Sequence, residues 1–264
     1  MSVHFGYHST KNNLAAAFTL IELLTVIAVI SLLLAILLPC VRKARTATGS
    51  VACRSNLRQI AIAWDTYLND NDQKFLQGVN VNHDFGGWKG KGGFASKRAL
   101  NKYLGLPVSV ETEEPAKVFR CPADNGGIFG IPSQELAYHY FGNSYQTNIL
   151  LVGPNRIGVP PDSRADLHRE INKMLAQLSR LNVSDSSRLV LVGDNNWVSQ
   201  WEAGLPCSLA WHGRNSFYNV AFLDGHVDSL KIHKGLYVTQ LYRVQPFKSL
   251  DSLAYELQTE VPCN

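Results

Sequence analysis

From Phe18 to Leu38 the chain reads FTLIELLTVIAVISLLLAILL, 21 residues carrying a single charge, Glu22. A helix rises ~1.5 Å per residue, so this one is ~31 Å long, about the hydrocarbon thickness of a bilayer. A secretory signal peptide has a shorter apolar stretch, about 7–15 residues, closed by a small-residue cleavage site. Here the run is longer and passes into Leu38-Pro39-Cys40. A lipoprotein site needs a small residue before its cysteine, and Pro39 is a poor substitute. The run therefore predicts one membrane-spanning helix over 18–38.

Charge follows the same division. Residues 1–58 hold Lys11, Arg42, Lys43, Arg45, Arg54 and Arg58 against Glu22 alone, a net of +5. The other 206 residues hold 19 basic and 20 acidic side chains, a net of −1. The basic excess thus belongs to the anchor and its flank, where lipid phosphate is the natural partner. The rest is near neutral and suggests no nucleic-acid partner. The chain as a whole is 45% hydrophobic, which leaves enough apolar material for a core.

Beyond Pro39, Leu57, Ile60, Ala61, Trp64, Tyr67 and Leu68 recur at three- and four-residue spacing. That spacing predicts an amphipathic helix packed by this stripe on a globular domain. Gly49 and the β-branched residues of 46–51 make a weak stretch that can bend or melt. The cluster Asn69-Asp70-Asn71-Asp72 should end the helix. Residues 78–93 are glycine-rich and read as a loop anchored by Trp88, without the spacing of a phosphate-binding P-loop. The patterns further predict a short helix over 98–106, a strand over 118–121, a strand or hairpin over 138–151 and a helix over 166–181. A buried strand over 188–193 should lead into Asp194. The segment 219–231 reads as a hairpin with a type I′ turn at Asp224-Gly225. Mixed elements of this kind imply an α+β fold with an antiparallel sheet.

Glu22 is the odd residue of the span, because a carboxylate at depth costs ~2–3 kcal/mol or more and needs a partner. It either sits at headgroup level, or it meets a new chain amino terminus created by a cut just before Phe18. The run Ala17-Phe18-Thr19-Leu20-Ile21-Glu22-Leu23-Leu24 resembles the leader junction of type IV pilins and type II secretion pseudopilins. The family usually has glycine before the cut, where this chain has Ala17. The resemblance implies a leader over 1–17, removal of it by a prepilin peptidase, methylation of Phe18, and assembly guided by Glu22. Pro39 falls where many such proteins carry a helix-kinking proline. The basic residues after the span, taken alone, favour a cytoplasmic domain by the positive-inside rule. The resemblance implies the opposite, a single-pass protein of the inner membrane with its domain periplasmic or extracellular.

A second resemblance runs through the rest of the chain, to prepilin-like proteins that end in a His-spacer-Asp-Gly motif. It is carried by Cys53-Arg-Ser-Asn56 after the span, Phe119-Arg-Cys121-Pro122-Ala-Asp124, and Ser144-Tyr145-Gln-Thr-Asn148. The strand ending at Asp194 and the closing segment from His212 to Asp224-Gly225, within 211–231, complete it. The spacer has 11 residues here, where the family pattern has nine.

Cysteines stand at 40, 53, 121, 207 and 263, with no CxxC pair. Cys53 with Cys121 and Cys207 with Cys263 are candidate disulfides, Cys40 being left over; four reduced cysteines are the alternative. Asp194, His212, Asp224 and His226 are the residues that can supply metal ligands. The simpler reading has Asp224 as a turn residue and Asp194 as a backbone cap, with no metal or other cofactor. No hydrolase or metalloprotease motif occurs.

The sequence thus predicts a leader (1–17), an N-terminal helix (18–68; span 18–38, stem 39–68) and a globular domain (69–264). It predicts a pilin-like structural subunit, not an enzyme. The partners implied are prepilin peptidase, other pilin-like subunits and membrane lipid. The alternatives are a membrane-tethered binding module that uses the leader only for export, and an anchored metal-dependent hydrolase.

Overall fold

The computed structural model describes residues 19–78, 81–92, 97–108, 114–152, 160, 162–183, 185–208 and 211–263. The leader 1–17 and the junction residues Ala17 and Phe18 lie outside the described residues. Contacts divide the chain into two units, residues 1–45 and 46–264.

One helix, α1 (Leu20–Asp70), begins in the first unit and ends in the second. Within the first unit its apolar side chains are exposed, Leu20 by 86%, Leu32 by 65% and Ile36 by 64%. A helix that is apolar all round has no polar face to offer water, so its solvent is lipid or other apolar helices. Pro39 lies inside α1 and brings no N–H, so the Ala35 carbonyl lacks its usual donor there. The stretch 46–51 is helical throughout; Gly49 does not interrupt it.

In the second unit the stripe Cys53, Leu57, Ile60, Ala61, Trp64 and Leu68 is buried. Trp64 packs on Tyr67, Phe75 and Phe85 at ring-centroid distances of 5.6, 6.4 and 6.0 Å. The helix stops at Asp70 because Asp72 and Gln73 take positive φ (51° and 59°) and the Gln73 N–H turns back to Leu68 O. The short α2 (Val81–Asp84) follows.

The glycine-rich segment 85–92 is shaped by close backbone approach. A Cβ on Gly142 would stand 1.8 Å from Trp88 O, and one on Gly87 2.1 Å from Gly142 O, so these two strands of loop can touch only as glycine. Trp88 is half-buried there and donates to Tyr138 O at 3.0 Å.

The expected helix over 98–106 is a 3-10 helix, Ala99–Leu104, ended by Gly105 at φ 68°. The expected strand over 118–121 does not form; Glu114–Phe119 is 3-10 helical instead. The region 138–151 contains α3 (Ala137–Phe141), a three-residue strand β1 (Tyr145–Thr147) and α4 (Ile149–Val152). The helix expected over 166–181 is α5 (Ala165–Met174) with one 3-10 turn after it. Leu178 is extended because Ser179 bridges to Lys74 and Arg180 N–H reaches Gln73 O, which pulls the chain out of the helix. Leu181, at the end of the expected helix, is 81% exposed.

Next come β2 (Val190–Asp194), α6 (Trp197–Trp201), β3 (Phe217–Phe222), β4 (Val227–Lys231) and α7 (Asp251–Leu257). The four strands form one antiparallel sheet in the order β1-β2-β3-β4, so the fold is α+β. The β3–β4 hairpin is joined by four residues, 223–226, with Gly225 N–H donating to Phe222 O and Phe222 N–H to His226 O. Only Gly225 has positive φ there (90°), whereas a type I′ turn needs two such residues. The connection is a type I turn closed by a left-handed glycine.

Candidate functional site

Two places carry the chemistry, one in each unit. In the first, Thr19 and Glu22 form a reciprocal cap on α1. The Thr19 N–H and hydroxyl both donate to Glu22 Oε2 at 2.8 Å, and Glu22 N–H donates to Thr19 Oγ1 at 3.2 Å. This is the capping-box geometry, Thr-x-x-Glu, in which a carboxylate also meets the positive end of the helix dipole. The signal was present in Thr19-Leu20-Ile21-Glu22, and the sequence reading missed it by weighing only headgroup contact or a chain amino terminus as partners of Glu22.

In the second unit, motif residues from five separate segments gather behind the sheet. Cys53 on α1 is joined to Cys121 by a disulfide, both nearly inaccessible at 0% and 1%. Asn56, one turn along α1, donates to Arg120 O at 3.0 Å and to the Tyr145 hydroxyl at 3.1 Å. Asp124 gathers four donors: Gly126 N–H, Ala137 N–H, Tyr138 N–H and the Ser144 hydroxyl, at 2.7–3.2 Å. Asn148 ties β1 to its surroundings, donating to Val190 O and Val244 O at 2.9 and 2.8 Å.

Asp194 closes β2, opposite Tyr145 in the sheet register. A register shift at Leu191 bulges β2 against β3 just before it, and bulges re-aim the residues that follow. A Cβ on Gly193 would meet Val220 Cγ1 at 2.8 Å and Trp197 Cδ1 at 3.0 Å, so glycine is what allows the strand to lie this close. Asp194 Oδ2 accepts from Asn219 N–H at 2.9 Å and lies 3.0 Å from His212 Nε2. The two side chains are 2% and 6% exposed. The same His212 nitrogen stands 3.9 Å from Cys121 Sγ. Asp194 Oδ1 and His212 Nδ1 are buried and meet no hydrogen-bond partner among the described residues. The ligand-type atoms of Cys53, Cys121, Asp194 and His212 all lie within 4.8 Å of one another. Burial, reinforced by the charges of Asp194 and Asp124, pushes the Tyr145 phenol well above its ordinary range.

The four residues singled out for metal from the sequence do not form one group. Asp194 and His212 meet; Asp224 and His226 pair separately at 2.6 Å, at the other end of β3 and partly exposed. The strand between them, six residues or ~20 Å long, keeps the two pairs apart. Asp224 Oδ1 accepts His226 N–H at 3.0 Å and Gly225 supplies the positive φ, so both serve the turn. What sequence reasoning did not see is that the disulfide stands against the Asp194–His212 pair. Cys207 is joined to Cys263 elsewhere, and Cys40 is free and exposed.

Residues 12–38 match the family model of the prokaryotic N-terminal methylation motif. No curated protein and no solved structure matches the chain. The motif and the single long apolar helix among the described residues give a membrane-anchored protein with a pilin-like or pseudopilin-type N-terminus.

Proposed function

We propose that the chain is a structural subunit of a type IV pilus-like or type II secretion assembly. Prepilin peptidase removes 1–17 by cutting after Ala17 and methylates Phe18, and the mature protein joins its neighbours through α1. The observation that carries this reading is the methylation motif over 12–38, which continues into a helix apolar on every side. In the assembly the charge of Glu22 is met by the new amino terminus of an adjacent copy, while its contacts to Thr19 hold the carboxylate at the helix end. The globular unit stands outside the cytoplasmic membrane and performs no chemistry of its own. The match of His212, Asp224 and Gly225 to the His-spacer-Asp-Gly pattern supports a prepilin-like C-terminal region.

Cys40, the free and exposed thiol on α1, offers the test. A membrane-permeant bismaleimide added to cells should yield a crosslinked dimer, the largest product one thiol per chain allows, and the dimer should disappear in Cys40→Ser. A tethered module that does not assemble would give monomer alone. Glu22→Gln keeps an oxygen for Thr19 and loses the charge, whereas Glu22→Leu loses both. Equal loss of the dimer in the two variants assigns the effect to charge.

A further inference from the structure

We propose that Cys53, Cys121, Asp194 and His212 form a zinc site in the dithiol state of the protein, and that zinc and the Cys53–Cys121 disulfide are alternative fastenings of the same place. The donor set comes first. Two thiolates, an imidazole and a carboxylate are ligands of tetrahedral zinc, with Zn–S about 2.3 Å and Zn–N or Zn–O about 2.0–2.2 Å. Ligand atoms on such a tetrahedron stand roughly 3.3–3.8 Å apart. In the folded chain His212 Nε2 is already 3.0 Å from Asp194 Oδ2 and 3.9 Å from Cys121 Sγ. The group as a whole fits within 4.8 Å. The two bonded sulfurs must separate, and the widest of the other pairs must close by up to about 1 Å, for the set to surround one ion.

The direction of approach distinguishes a metal site from a catalytic dyad. In a Cys-His-Asp relay the thiol meets one ring nitrogen and the carboxylate the other. Here sulfur and carboxylate both face Nε2, so the three groups point at a common centre. Asp194, 1% exposed, keeps one oxygen without a partner, a costly arrangement that a cation beside it relieves. The carboxylate is oriented by Asn219 N–H, and the two cysteine segments are pinned to one another through Asn56, Arg120 O and Tyr145. These supports stand behind the carboxylate and the two sulfurs, while His212 Nδ1 has no partner among the described residues.

The chemistry balances. A dithiol reductant gives two electrons and two protons to the Cys53–Cys121 bond, its own sulfurs closing to a disulfide. Zinc then binds the two thiols, releasing two protons, with neutral His212 and ionised Asp194 completing the set. The pocket carries a net −1 in both forms, from Asp194 in one and from zinc with two thiolates and Asp194 in the other. A disulfide oxidant takes the two electrons back, its own bond opening to two thiols with uptake of two protons; the ion leaves and the Cys53–Cys121 bond re-forms, so α1 stays fastened to the Cys121 loop in either redox state.

The test uses the full chain in detergent. Reduced with a phosphine, freed of reductant and titrated with zinc, it should bind one ion per chain at this site and release two protons for each ion. The oxidised protein should bind none. Cobalt in place of zinc should give thiolate charge-transfer and tetrahedral d–d bands. Both should persist in the Cys40→Ser/Cys207→Ser/Cys263→Ser variant. Binding should weaken by about 100-fold or more in His212→Gln and in Asp194→Asn, and vanish in Cys53→Ser/Cys121→Ser. Zinc should also raise the melting temperature of the reduced protein, which tests the site without any substitution. No binding by the reduced chain, binding that survives loss of Cys53 and Cys121, or no stabilisation by zinc would each overturn the proposal.

Discussion

Asn148 shows how much of this fold rests on single polar side chains. Fully buried, it donates to two carbonyls and accepts from Leu150 N–H at 3.0 Å. Asn148→Ala leaves those backbone groups dry and unpaired, and should cost ~2–4 kcal/mol of stability in denaturant unfolding. Gly193→Ala should cost ~1–3 kcal/mol, since the added methyl meets Val220 and Trp197 in a packed sheet. His83 sets a pH dependence. Its ring stacks on Phe141 at 3.9 Å, and burial, with the Arg98 guanidinium second, pushes it down to about 3. Arg98 is itself paired with Asp84 at 2.9 Å. An unfolded histidine titrates near ~6.5, so between about 6.5 and 3 the unfolded chain holds the extra proton. Stability should therefore fall as pH is lowered through that window, by on the order of a few kcal/mol. His83→Gln should flatten this part of the curve in thermal melts at stepped pH. An unchanged slope would remove His83 from the account.

At the scale of elements, the stem half of α1 is held by its buried stripe, and Trp64 is the largest part of it. Trp64→Ala should cost ~3–5 kcal/mol, read as an earlier unfolding midpoint with little change in slope. Elements with a long, unbroken period were legible in the sequence. The stripe from Leu57 to Leu68 gave the helix and its buried face, and alternation about Asp224-Gly225 gave the hairpin. Elements set by distant contacts were not. Periodicity over 166–181 runs on past Met174, but Lys74 and Gln73 capture Ser179 and Arg180 from outside the helix. The turn type was misjudged because Asp-Gly suits two geometries, and strand pairing chose the one needing a single positive φ. The piece at 114–119 has too few residues for any period to show, and the helix expected over 98–106 gave no sign of its 3-10 winding.

Across the whole molecule, two disulfides staple the second unit, one across 68 residues of sequence and one across 56. Each such cross-link contributes ~2–5 kcal/mol by restricting the unfolded chain. Removal of the second by Cys207→Ser/Cys263→Ser should lower stability by that amount while leaving the Cys53–Cys121 region folded, as hydrogen exchange would report. The gathering of Asp194 and His212 beside Cys53 and Cys121 was not legible. It depends on how α1, the Cys121 loop, the end of β2 and the segment before β3 are brought together, and linear spacing carries no such information. The N-terminal segment was legible for the opposite reason: its chemistry is local, contained in one junction and one apolar run.

That junction carries the central claim, that this protein is matured and assembled as pilin-like subunits are. The N-terminal residue and intact mass of the protein purified from membranes test it most directly. The account predicts a chain that starts at Phe18 and is heavier by one methyl group on its amino terminus. A protein that still carries Met1–Ala17, or one trimmed elsewhere and unmethylated, would contradict it.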